Sequence, residues 1–190
     1  MNKKNLVIVV VLVLIAVFIG VMVVNMTEER VVIKEINYPG GLYASGIDLA
    51  LKDNITSGTE ELLRENLPVS FTARRYYWIS PLYYTVIPLS EFNTLKETLL
   101  EEERIELTAV KREDEDIFVF FQNCFGKDDR EYSITELQEH LDKYSLEAKE
   151  ITWIYIEFDE NVQYKEIEHT MNLLKDESDV IRAYPNLLEG

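Results

Sequence analysis

The chain has 190 residues, of which 47% are hydrophobic, so it can bury the core of at least one folded domain. It carries 35 acidic and 19 basic residues and a formal net charge of −16. Nucleic-acid backbones and anionic lipid surfaces are bound through Lys and Arg, so this charge argues against nucleic acid as a partner and against docking of the soluble part on anionic lipid.

The apolar run Leu6–Val24 lies close to the start of the chain. As a helix it would be about 29 Å long, close to the ~30 Å hydrocarbon core of a bilayer, so we predict one transmembrane anchor in the lipid bilayer. The alternative is a cleaved signal peptide, but the run is longer than a usual signal and no small-x-small cleavage site follows. Because Lys3 and Lys4 precede it, residues 1–5 are predicted to be cytoplasmic and the bulk of the chain extracytoplasmic.

Ala16 and Gly20 lie four residues apart on one face of this predicted helix. Small residues at that spacing allow two transmembrane helices to approach closely, which predicts a homodimer. The alternative is that one such pair arises by chance in an apolar run.

Residues 27–103 are predicted to form a membrane-proximal α/β region. Residues 42–58 fit neither a helix nor a strand pattern. Ser90 is placed to cap the second helix of this region. The predicted elements are a strand at 31–36, a helix at 59–66, strands at 69–79 and 82–88 joined tightly at Ser80-Pro81, and a helix at 91–103.

Residues 104–190 are predicted to form an α+β domain. Ser133 and Glu136 have the spacing of a capping box at the start of a helix, and Asp159 and Asn161 are predicted to supply turn and cap residues before the last helix. The fold class is therefore α+β, a two-layer α/β sandwich with a ferredoxin-like layout, in which helices cover one face of the sheet and the other face is freer. The predicted elements are a hairpin of strands at 105–109 and 117–121, a helix from 134, a buried strand at 151–158, a helix with Tyr164, Ile167, Met171 and Leu174 on one face, and a strand at 179–184.

No residue pattern in the sequence predicts catalysis or a cofactor. His140 and His169 lack a second histidine or a cysteine at ligand spacing, so surface positions fit them better than a metal site. Cys124 has no basic residue close before it and is predicted to be a packing residue. The acidic run at 113–116 resembles a solvated turn more than a Ca²⁺ loop, because it lacks the ligand spacing and the glycine. We therefore predict no enzyme, no metal and no cofactor.

One aromatic segment, Arg74–Tyr84, is a candidate binding surface. Tyr76, Trp78 and Tyr83 place aromatic rings beside two arginines, which suits recognition of a peptide or a glycan. The alternative is ordinary packing of strand side chains.

A second pattern runs through the later part of the chain. The stretch Ile154–Asp159 is an apolar strand that ends on an aspartate, Val162 and Tyr164 follow it, and the next helix carries Met171. This order resembles the extracytoplasmic domain of the ExbD/TolR family over about residues 105–184. Those proteins are single-pass partners in proton-driven energy-coupling complexes of bacterial envelopes.

The resemblance implies a non-enzymatic, membrane-anchored protein of the cell envelope that acts through protein contacts. It implies a polytopic membrane partner and makes Asp159 and Tyr164 interaction candidates. The family couples protons through a membrane-embedded aspartate, whereas no acid lies between Lys4 and Glu28 here. The alternative function is an anchored binding or sensor module without an energy-coupling role.

Overall fold

The structure, a computed structural model, describes residues 31, 33, 38, 41–76, 80–124 and 131–188. The predicted anchor at 6–24, with Ala16 and Gly20, lies outside these residues, as do Trp78 and most of the predicted strand at 31–36. Within the described part of the chain, no helix is long and apolar enough to span a membrane. Residues Val32–Gly190 group as one compact unit.

The described residues form eight strands and four α-helices, and every strand pairing is antiparallel. The α+β class predicted from the sequence is therefore confirmed. The elements are β1 (Tyr43–Leu51), α1 (Ser57–Asn66), β2 (Phe71–Tyr76), β3 (Tyr83–Pro88), α2 (Phe92–Glu103), β4 (Glu106–Glu113), β5 (Asp116–Gln122), α3 (Ile134–Leu141), β6 (Lys149–Glu150), β7 (Thr152–Gln163), α4 (Tyr164–Asp176) and β8 (Val180–Leu187).

One four-stranded sheet has the order β2-β7-β1-β8. Both β1 and β2 run antiparallel to β7, so β1, α1 and β2 form a β-α-β unit whose two parallel strands are separated by β7. In the same way, β7, α4 and β8 form a second β-α-β unit split by β1. We call this sheet and its two helices the host unit.

The other sheet has the order β4-β5-β3-β6. Here β3, α2 and β4 form a β-α-β unit split by β5, while β5, α3 and β6 form one split by β3. The strand order, counted along the chain, is the same as in the host unit. These residues, 83–150, lie between β2 and β7 of the host unit, and we call them the inserted unit.

The predicted division at 103/104 can be compared with these units. Each of the two sheets contains strands from before position 103 and strands from after position 104. Residues 105–184, which carry the family resemblance, supply β4, β5 and β6 to the inserted unit and β7 and β8 to the host unit. Within the host sheet, β7 and β8 are separated by β1, which lies outside the resembling segment.

The two sheets pack against each other. Ala50, Trp153 and Ile181 of the host sheet share one buried cluster with Phe118 and Phe120 of the inserted sheet. We expected one face of a single sheet to remain freer, and this expectation was wrong, because the second sheet covers part of that face. The sequence pattern did not show that the strands on either side of Ser80-Pro81 belong to different sheets.

Helices cover the far faces of both sheets. In the host unit, Leu63 of α1 and Ile167 of α4 pack in the same core as Ile156 of β7. In the inserted unit, α2 contacts β4, and Leu99 of α2 and Leu137 of α3 are completely buried. The described residues therefore form a helix–sheet–sheet–helix stack.

The capping box at Ser133 is confirmed. Its hydroxyl accepts a hydrogen bond from the Glu136 backbone N–H, and the Glu136 carboxylate accepts one from the Ser133 N–H. The predicted cap at Ser90 was wrong, because a 3₁₀ turn at Leu89–Glu91 leads directly into α2 and Glu91 holds the cap position.

The end of β7 also differs from the prediction. The strand continues to Gln163 through the predicted turn residues Asp159 and Asn161, because β1 pairs with it as far as Tyr43–Gln163. A capping box of Gln163 and Glu166 then starts α4. A turn was predicted here because β1 was not predicted. Without β1 as a hydrogen-bonding partner, the second half of β7 has no neighbouring strand to extend it beyond Phe158.

Candidate functional site

A small cavity of about 180 Å³ lies at the junction of the two units. Tyr76 and Trp153 line it from the host sheet, and Tyr83 and Glu150 line it from the inserted unit. Trp153 is buried, and its indole N–H donates to the carbonyl of Pro81 at 2.9 Å. The cavity therefore has one fixed aromatic wall, Trp153, beside Tyr76 and Tyr83 of the predicted surface Arg74–Tyr84.

The predicted interaction residues differ in their surroundings. Tyr76 is 39% exposed at the end of edge strand β2, so it is available to a ligand. Tyr83 is buried and donates its hydroxyl hydrogen to the carbonyl of Tyr132 at 3.0 Å, which fits a mainly structural role. Tyr164 is also buried, with its ring 5.1 Å from that of Tyr38, and Asp159 is exposed on β7.

The host sheet presents a polar and aromatic surface on the face that it turns toward the inserted unit. In the strand register, Asp48 of β1 lies between Tyr155 of β7 and Tyr184 of β8, and Arg74 of β2 lies beyond Tyr155. Side chains paired in this way point to the same face of a sheet. We call Asp48, Tyr76, Tyr155 and Tyr184 the tyrosine–aspartate site.

Tyr155 is held in place by a glycine and a serine. A Cβ atom at Gly46 would lie 2.3 Å from the Ile156 carbonyl oxygen and 2.5 Å from the Tyr155 ring, so the ring occupies the space that a side chain would need. The Tyr155 hydroxyl donates to the Ser45 carbonyl at 3.3 Å. Tyr76 stacks on this fixed ring, with 5.5 Å between centroids.

Asp48 has an unusual environment for a carboxylate. It is half-buried, and within the part of the chain that the structure describes it has no hydrogen-bond donor and no ion-pair partner. Its loss of water raises the pKa of the Asp48 carboxyl above its usual 3.8. Burial raises the pKa of the Tyr76 phenol, and the negative charge of Asp48 raises it further.

The charged residues at the rim of this face are paired. Arg74 forms an ion pair with Glu157 at 2.8 Å, and both side chains are substantially exposed. Arg182 lies over the ring of Tyr184, with its guanidinium carbon 5.6 Å from the ring centroid. A cation of the protein itself therefore already contacts an aromatic ring of the site.

A second cavity, of about 310 Å³, lies beside α4 and β8 and is lined by several cations. Its Lys111 amine donates to the carbonyls of Glu177 and Val180, both at 2.8 Å, and pairs with Glu113 at 3.1 Å. These contacts use all three donors of the ammonium group. They join β4 to the start of β8, so we assign this lysine a structural role.

His140 and Cys124 occupy structural positions. His140 of α3 lies 2.6 Å from the Glu103 carboxylate of α2, and Lys143 also contacts Glu103. His169 is exposed, as predicted. Burial raises the pKa of the Cys124 thiol to about 12, which fits the predicted packing role. No group of three or more His, Cys, Asp or Glu residues suited to a metal occurs in the described ranges.

No protein-family model matches the sequence, and neither a curated protein nor a solved structure shows significant similarity to the chain.

Sequence reasoning missed Asp48 and Tyr155 as candidates. The signal for β1 was present, because Ile47, Leu49 and Leu51 alternate with Asp48 and Ala50 as on a strand with one buried face. The neighbours of Asp48 could not be found in this way, because β7 and β8 lie more than 100 residues further along the chain.

Proposed function

We propose that this chain is a non-enzymatic, single-pass protein of the bacterial cell envelope whose extracytoplasmic domain works as a binding module. The apolar run at 6–24 supports the membrane anchor, and Lys3 and Lys4 support a cytoplasmic N-terminus. Ala16 and Gly20 support a homodimer through the anchor.

The observation that carries the binding function is the polar face of the host sheet. A sheet face that serves only for packing against another sheet is expected to be apolar. This face instead holds Asp48 without a partner among the described residues and exposes the ring of Tyr76 next to a cavity. Buried polar groups without partners lower stability, and such groups are concentrated where ligands bind.

The strand order supports the ferredoxin-like part of the predicted fold, because each unit consists of two interleaved, split β-α-β motifs. A fold shared by many proteins does not determine a function, so the support for a role comes from the residues on the sheet face.

Energy coupling, as implied by the resemblance to the ExbD/TolR family, has less support than binding. The resembling segment, residues 105–184, includes β7 and β8 but lacks β1, the strand that separates them. The apolar run 6–24 contains no acid that could relay a proton. A polytopic membrane partner would have to supply that acid.

Native mass spectrometry of the full-length chain, purified from its own membranes in a mild detergent, tests the binding function. We expect the wild-type chain to carry an additional mass, either a partner protein or a small molecule. Tyr76→Ala should reduce the occupancy of that mass at least about fivefold, since aromatic anchors carry much of the energy of a binding site.

Leu100→Ala is the matched control, because Leu100 is an exposed hydrophobic residue of α2, far along the chain from the site. It should leave the occupancy unchanged. A wild-type chain that carries no additional mass would contradict the proposal, and so would equal losses in the two variants.

A further inference from the structure

We infer that the tyrosine–aspartate site binds a small organic cation, an alkylated ammonium group that is held by the Asp48 carboxylate and contacts the exposed ring of Tyr76. This inference rests on the proposed binding function and adds the charge and the chemical class of the ligand. It is carried by the position of one carboxylate among aromatic rings on a sheet face.

The Asp48 carboxylate is the first part of the site. Asp48 lies on a central strand, paired with β7 on one side and β8 on the other, so the sheet fixes its position. An ionised carboxylate that is half-buried loses part of its hydration, and a protein partner normally compensates for this loss. None of the described residues provides that partner. A ligand cation would restore the missing interaction.

The aromatic rings are the second part. Tyr155 and Tyr184 are the direct neighbours of Asp48 in the register, and Tyr76 stacks on Tyr155. The Tyr155 ring is displaced toward Gly46, while the Tyr184 ring stacks on Trp153 with 6.2 Å between centroids. Gly46 and Tyr76 therefore already contact the Tyr155 ring, and Trp153 and Arg182 already contact the Tyr184 ring. Tyr76, which is 39% exposed, is the ring of this site that a ligand can reach.

The carboxylate and the aromatic rings together determine the charge and the chemical type of the ligand. The negative faces of aromatic rings attract cations and suit the broad, weakly hydrated surface of an alkylated ammonium. An anion would meet both the carboxylate and the field of a chain with a net charge of −16. A metal ion is a poor fit, because only one carboxylate is present and hard cations need several oxygen ligands.

A pair of probes that differ only in charge tests the inference. Choline and 3,3-dimethylbutan-1-ol have nearly the same shape, but only choline is a cation. Each is titrated into the full-length chain in a maltoside detergent free of choline lipids, and binding is followed by the NMR line width of the probe's methyl protons. We expect choline to bind and the neutral alcohol to bind at least about tenfold more weakly.

Variants then locate the site. Asp48→Asn should weaken choline binding at least about tenfold, since it removes the charge and keeps the shape. Asp159→Asn makes the same change at an exposed aspartate of β7 and should have no effect. Tyr76→Leu should weaken binding while keeping an apolar side chain on β2.

The outcomes separate this inference from the proposed function. If both probes bind equally and Asp48→Asn changes nothing, the site is not selective for cations, and the inference fails while a binding role of Tyr76 remains. If choline does not bind but native mass spectrometry still shows a mass lost in Tyr76→Ala, the inference also fails and the binding function stands. If choline binds equally to wild type and Asp48→Asn, its site lies elsewhere.

Discussion

The host unit and the inserted unit share one strand order, and they differ most in the faces that they turn toward each other. The inserted sheet presents Tyr84, Phe118 and Phe120, all of them buried. The host sheet presents Trp153 to that cluster but continues into Asp48 and Tyr155, which are only half-buried. The same topology therefore supports a packing surface in one unit and a candidate binding surface in the other, which shows that the side chains on the face decide its role.

The largest effect on stability is expected when one aromatic residue in each sheet face is truncated. The two losses can then be compared. Phe120→Ala should destabilise the protein by about 3–5 kcal/mol, because it leaves a cavity between two packed sheets. Tyr155→Ala should cost about 1–2 kcal/mol, since its side chain is only half-buried and fewer contacts are lost. Denaturant unfolding followed by circular dichroism measures both changes. Equal losses would mean that the host face is a packing surface as well.

The glycine beneath Tyr155 gives a second comparison. Gly46→Ala should destabilise the protein by about 1–3 kcal/mol, because the new methyl group would overlap the Ile156 carbonyl and the Tyr155 ring. Gly58→Ala, in the first turn of α1, meets only the Thr56 hydroxyl at 3.8 Å and should be neutral or stabilising by up to about 1 kcal/mol. Thermal unfolding of the two variants checks the order. A tolerated Gly46→Ala would show that the Tyr155 ring is not held as described.

Glu103, between the helices of the inserted unit, gives a pH-dependent comparison. The Lys143 ammonium, more than the neighbouring His140, lowers the pKa of the Glu103 carboxyl below its usual 4.5. A depressed pKa means that the ionised carboxylate stabilises the fold above pH 4.5, and that this stability is lost as the pH falls through the lower, folded-state value. Glu103→Gln should therefore lower the melting temperature by about 2–4 °C at pH 7 and change it little in strong acid.

The stability contributed by Asp48 in the host unit should change with pH in the opposite direction to that contributed by Glu103. Because burial raises the pKa of its carboxyl, the protonated form fits the folded state better, and the stability present below pH 3.8 is lost as the pH rises through the folded-state value. Asp48→Asn should raise the melting temperature by about 2–4 °C at pH 7 and have little effect below pH 3. Melting temperatures of both variants from pH 2 to pH 8 distinguish the two signs. A destabilising Asp48→Asn would show that this carboxylate has a partner.

Local sequence patterns predicted much of this structure. The capping box at Ser133, the hairpin of β4 and β5 and the amphipathic face of α4 were all found, because each depends on residues close together in the chain. Strand β1 was missed because the small residues at 44–46 obscure its alternation. The pairing of the strands in the host sheet depends on contacts across more than 70 residues, which no local pattern contains.

The candidate site was predicted only in part, for the same reason. Tyr76 was found because it stands in a visibly aromatic segment. Asp48 has no such neighbours in sequence, and its tyrosine partners come from strands near the end of the chain. Tyr83 and Tyr164 were chosen for residue type or family position, and burial shows that they contribute mainly to the core.

Site-specific photo-crosslinking in intact cells tests the central claim, that the polar face of the host sheet is the binding surface. A photoreactive phenylalanine derivative replaces Tyr76 in one full-length variant and Leu100, an exposed apolar position of the inserted unit, in the other. After irradiation, the products are compared by mass spectrometry. We expect a defined adduct from position 76 and none from position 100. Adducts from position 100 alone, or from neither position, would contradict the claim.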